Sequence, residues 1–157
     1  LGRRRIAFLG EADEGYPEFA DRYRGLCTAL AEAGHDADPD LRQDALTSEA
    51  DGHAATQRLL ASGRGFDAVF AASDLIAIGA LRALAEARIA VPDQVALVGF
   101  DDIPAASHTN PPLTTLMQDL RGAGAALLDV LLGAIERMRT APVAGPAGHP
   151  RKHPRVE

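Results

Sequence analysis

Four polar side chains stand directly behind apolar runs in this sequence: Ser73 and Asp74 after Asp67–Ala71, and Asp101 and Asp102 after Val95–Phe100. A carboxylate fixed at such a point accepts two hydrogen bonds from adjacent hydroxyls or from an amine, and a guanidinium such as that of Arg22 donates a planar fork. Together, Asp101 and Arg22 suit a sugar or another polar metabolite. The three aspartates could instead gather around magnesium for phosphoryl chemistry. Against that alternative, the chain has no lysine before Lys152 to meet a phosphoryl oxygen. On spacing alone, Arg22 also reads as a solvated helix charge.

These side chains need elements that hold them at one edge. Asp67–Ala71 is a short apolar run with β-branched and aromatic members, which predicts a buried strand. From Leu75 the apolar residues Leu75, Ile78, Leu81 and Leu84 recur at helical spacing, and Pro92 follows the helix end near Arg88. Val95–Phe100 is a second buried run. Strand, helix and strand in about 35 residues make a parallel crossover unit. In an open parallel sheet the ligand crevice lies outside the carboxyl ends of the strands, and both polar breaks sit there.

The remaining segments extend this pattern. Arg5–Gly10 predicts a first strand, and Pro17 opens a helix with an apolar stripe of Phe19, Tyr23, Leu26, Cys27 and Leu30, ended by Gly34. His35–Thr47 has few apolar residues, so any strand there is short and near a sheet edge. Ser48-Glu49-Ala50-Asp51 resembles a capping box with Asp in place of Glu, starting a helix that stops at Gly63. Leu113–Met117 predicts a fifth strand after a double proline. A long helix then runs from Leu120 to about Arg139, with Gly122 and Gly124 suited to close packing on a sheet. The last 17 residues hold four prolines and a basic cluster with no apolar run, and are expected to be a disordered tail. A shift of reading frame after Val143 would explain their composition, and an intact frame at the locus would reject it.

Composition narrows the function. With 157 residues, 46% of them hydrophobic, the chain can build a full core, and no apolar run is long enough to cross a bilayer. A net charge of −6 without a folded basic patch disfavours direct binding to a phosphate backbone. The single Cys27 forms no internal disulfide and reads as a core filler. The patterns for dinucleotide, P-loop, zinc-protease, hydrolase and redox sites are missing, and five scattered histidines suggest no metal cluster. No cofactor and no enzymatic activity are expected.

ASDLIAIGALRALAEARIAVPDQVALVGFDD followed by NPPLTTLMQDLRGAGAALLDVLL resembles the effector-binding region of LacI/GalR-type bacterial transcription regulators, from about Gly2 to Ile135. The resemblance implies a three-layer α/β/α fold with a mostly parallel sheet, one lobe of a periplasmic-binding-protein-like (type I) clamshell. It places the sensor domain at 1–139 and the tail at 140–157. It assigns effector contact to Arg22, Ser73 and Asp101. Asp74 becomes structural, capping the helix, and Asp102 supports from behind. Ala45 and Leu120 occupy wall positions where relatives often carry aromatics, so stacking on a flat ligand face is weakened. The resemblance further implies a cytoplasmic homodimer, using Ile78 and Arg82 with the 103–109 loop; Ile78 is equally readable as core. Operator DNA would be reached only through an N-terminal helix-turn-helix that these residues do not include. A sugar-binding receptor of a transport system, with the same clamshell, is the alternative.

Overall fold

The computed structural model describes residues 2–13 and 15–140. Five strands alternate with helices: β1 (Ile6–Leu9), α1 (Pro17–Glu32), β2 (Arg42–Gln43), α2 (Glu49–Ala61), β3 (Ala68–Ala71), α3 (Asp74–Glu86), β4 (Ala96–Asp101), β5 (Thr114–Met117) and α4 (Leu120–Thr140). The sheet order is β2-β1-β3-β4-β5, and every pair is parallel. The expected crossover is therefore present, and β2, only two residues long, lies at the edge. The order reverses between β1 and β3, which makes their carboxyl ends the switch point at which such sheets hold ligands.

Strand alternation builds the layers. The Phe8 ring lies 5.1 Å from Tyr23 of α1 and 5.6 Å from Phe70 of β3, so β1 and β3 turn these residues to the α1 face. Ala7, Leu9, Val69 and Ala71 face the other way and are all buried. On that side α2 and α3 cross closely. A Cβ at Gly79 would stand 2.0 Å from the Glu49 carbonyl oxygen, and one at Gly52 would stand 2.2 Å from that of Ile76. Glycine at both positions lets the two backbones touch.

Caps set the helix ends. Pro17 opens α1 and Gly34, at φ 76°, closes it, while the Leu30 carbonyl accepts from His35 N–H at 2.9 Å. At α2 the expected capping box is only half formed. Ser48 Oγ accepts from Asp51 N–H at 3.0 Å, but the Asp51 carboxylate accepts from the Ser48 hydroxyl at 2.6 Å instead of from the Ser48 amide. Aspartate is one methylene shorter than the usual glutamate, and the Ser48 amide donates to the Leu46 carbonyl.

Residues up to Gln118 form one compact unit, and α4 belongs to a second. Within α4 the Asp119 carboxylate accepts from Gly122 N–H at 2.9 Å, so Gly122 serves the helix start, and no atom lies within 4 Å of a Cβ built at Gly124. The segment read as a Pro-rich tail lies outside the described residues beyond Thr140.

Candidate functional site

The carboxyl ends of β3 and β4 meet at Arg22. Its guanidinium lies 3.9 Å from the centre of the Phe100 ring and 5.3 Å from that of Phe19. It donates to the Ala72 carbonyl at the end of β3, and it stands 3.8 Å from an Asp101 carboxylate oxygen. Only 14% of the Arg22 side chain is exposed, against 29% of that of Asp101. The alternative of a solvated helix charge therefore fails. Stacking on the ring face orients the fork, and an arginine so held loses little freedom on gaining a ligand.

Asp101 is held in an uncommon backbone. Its φ is 118°, and that of Asp102 is 57°, so two successive non-glycine residues leave the ordinary region as β4 ends. Strand alternation would send residue 101 to the α3 side along with Leu97 and Gly99. The turn instead lets its carboxylate face Arg22, which belongs to α1, and accept a hydrogen bond from the Gln118 side-chain amide. Gln118 is a site residue that the sequence reading overlooked. It directly follows β5, whereas Asp101 closes β4, so the strand-end rule would have found it if applied to the fifth strand.

Ser73 and Asp74 divide their roles. Ser73 is placed at the strand end as expected, but it is 1% exposed and its oxygen accepts from Ile76 N–H at 3.4 Å, capping α3. Its hydroxyl is thus engaged at the helix start and almost withdrawn from solvent. Asp74 is fully buried, with one oxygen accepting from Ile103 N–H at 2.9 Å and the other from the Thr115 hydroxyl at 2.5 Å. The structural role expected of Asp74 is present, but it bridges strand ends while Ser73 makes the cap. Asp102 is exposed and donates its amide to Thr115 Oγ1 at 3.3 Å. With both Asp74 oxygens engaged, the three aspartates do not share one open ligand set. Among the described residues no group of three acidic, histidine or cysteine side chains is arranged to hold a metal ion.

The walls are plain by comparison. Ala45 is buried, with its carbonyl accepting from Glu11 N–H at 3.2 Å. Desolvation, followed by the neighbouring Asp13 and Asp44 carboxylates, pushes the Glu11 carboxyl above its ordinary value. Leu120 begins α4 in the second unit and is exposed there. Ile78 and Arg82 lie away from the crevice, beside a groove between α2 and α3 lined also by Glu49, Ala50, His53 and Gly79. Ile78 is half-buried, and Arg82 is exposed and paired with Glu86 at 2.9 Å.

Comparison with known proteins identifies the family. A family described as "Periplasmic binding protein-like domain" matches residues 1–152. The transcriptional regulator CelR of Thermobifida fusca is 36% identical over 142 residues, covering 90% of this chain and 42% of CelR. AscG of Escherichia coli K12 is 37% identical over 136 residues, covering 82% of this chain and 40% of AscG. Among solved structures, the CelR–cellobiose complex superposes with a TM-score of 0.82 at 36% identity, covering 90% of this chain and 43% of that one. The Lac repressor bound to ONPG gives 0.79 at 29% identity, covering 87% and 41%. This chain spans about two fifths of the length of these relatives. They are transcription regulators, a class that the magnesium-dependent alternative does not fit.

Proposed function

Because the chain belongs to the periplasmic binding protein-like domain family, in the form carried by LacI-type regulators, we propose that it is the effector-sensing lobe of such a regulator and that its effector is a sugar or similar polar metabolite. The observation that carries this reading is the Arg22 fork, stacked on Phe100 and 3.8 Å from Asp101 where the strand ends meet. Arg22 keeps N–H donors for ligand oxygens, and Asp101 keeps lone pairs for ligand hydroxyls. Sugars offer both partners on adjacent carbons. In the whole protein, effector bound at this edge would favour one lobe arrangement, and that shift in population would reach a DNA-binding segment outside these 157 residues. The regulator would act as a cytoplasmic homodimer without contact to a membrane, with Ile78 and Arg82 in the dimer surface.

A panel of neutral mono- and disaccharides, cellobiose among them, tests the reading by thermal shift on the chain itself. One saccharide should raise the melting midpoint of the wild type in a saturable way, by RT ln(1 + [L]/Kd) in free energy. Arg22→Ala and Asp101→Asn should each abolish the shift while remaining folded by circular dichroism. A shift that survives both substitutions places the ligand elsewhere and overturns the site.

A further inference from the structure

Asp101 can meet Arg22 and Gln118 only if the chain turns out of strand geometry at the end of β4, and two non-glycine residues with positive φ do not hold such a turn unaided. Each costs free energy that the surroundings must offset. Those surroundings are specific. Thr115, opposite Gly99 in the β4–β5 register, donates its hydroxyl to the buried Asp74 at 2.5 Å and accepts the Asp102 amide at 3.3 Å. The second Asp74 oxygen takes the Ile103 amide at 2.9 Å. One buried carboxylate thereby clamps the turn, through Thr115 at Asp102 and directly at Ile103. Gly99 leaves the room for it, since a Cβ there would stand 2.2 Å from Asp74 Oδ1.

We infer that Thr115 and Asp74 are positioning residues for the effector site, fixing the left-handed turn at Asp101 and Asp102 so that the Asp101 carboxylate faces Arg22. This deepens the effector-sensing reading and rests on it for its functional meaning. Neither residue needs to touch a ligand. The hydroxyl of Thr115 is the part that matters, because it is both donor to Asp74 and acceptor from Asp102. Valine keeps its shape but can do neither.

The test is a series at residue 115 in the full 157-residue chain, labelled for NMR. Thr115→Val should shift the Asp102 and Ile103 amides and change the Asp101 coupling that reports φ. It should also move the Arg22 Nε signal, while the signals of α2 and the β1 core stay in place. Thr115→Ser, which retains the hydroxyl, should restore all of these. If Thr115→Val leaves the Asp101, Asp102 and Arg22 signals unchanged, or if Thr115→Ser fails to restore them, the inference is overturned. Because these signals are read without ligand, they separate this inference from the sensing reading. Should no saccharide of the panel give a saturable shift with the wild type, the sensing reading fails and the Thr115 series still decides the positioning.

Discussion

On the face of the sheet that carries α2 and α3, Leu9, Val69, Ala71 and Leu97 are all at most 6% exposed, whereas on the face that carries α1 the apolar Val98 and Leu116 remain 39% and 54% exposed. The same five strands supply both faces, so the difference lies in what covers them. On the closed face, α2 and α3 touch backbone to backbone at Gly52 and Gly79, and Leu59, Ile76 and Leu84 fill the space beneath them completely. Opposite, α1 covers Phe8 but leaves a shallow apolar trough over Phe70, Val98, Phe100 and Leu116. Arg22 crosses Phe100 at the carboxyl end of that trough. Among the residues up to Gln118, burial is therefore concentrated on one face, while the guanidinium of the candidate site rests on the other.

That contrast breaks if equivalent truncations cost the same on both faces. Leu59→Ala removes a fully buried side chain and should destabilise the chain by about 2 to 5 kcal/mol. Val98→Ala, at a position already partly in water, should cost no more than about 0.5 kcal/mol. Urea denaturation of the two variants measures the difference, and near-equal losses would show the trough to be as stabilising as the core. A smaller but sharper effect belongs to Gly79→Ala. Its new Cβ would lie 2.0 Å from a backbone oxygen of α2, which cannot rotate away, so the helices must separate at a cost of about 1 to 3 kcal/mol. The ordinary expectation for glycine to alanine inside a helix is a gain. A gain in the measured midpoint would mean that the close crossing is not needed.

Much of this division could be read from the residues. The apolar runs ending at Ala71 and Phe100 set two strands within a residue, and the scarcity of apolar side chains in His35–Thr47 left room only for a short strand near an edge, where two residues pair. Side-chain chemistry already suggested Arg22 and Asp101 as partners, but spacing alone left Arg22 open as a solvated charge, and the family resemblance was needed to favour it. Local pattern could not show which of Ser73 and Asp74 caps α3 and which is held by distant partners. Both follow β3, and the choice depends on Thr115 and Ile103, distant in sequence, converging on one carboxylate. The left-handed turn at Asp101 was equally hidden, because neither residue is the glycine that usually marks such a backbone. The half-formed box at Ser48 shows the same limit at a finer scale. The spacing was right, and one missing methylene changed which group the carboxylate accepts from.

The smallest effect tests how far the closed face extends toward solvent. At the rim of α2 and α3, Glu86 accepts from His53 Nε2 at 2.7 Å and from Arg82 Nε at 2.9 Å. The His53 hydrogen bond first, and then that of Arg82, hold the Glu86 carboxyl below its ordinary value. A carboxyl depressed in the folded state stabilises the chain above its unfolded pKa, and the contribution is lost as pH falls through the folded value. The difference in urea midpoint between wild type and Glu86→Gln should thus be present at neutral pH and be lost as pH falls through the folded Glu86 value. Because Glu86 is exposed, solvent screens the pair and the difference should also shrink with added salt. A difference that does not change as pH falls through that value, or that ignores salt, would mean that the rim contributes through packing and not through the pair.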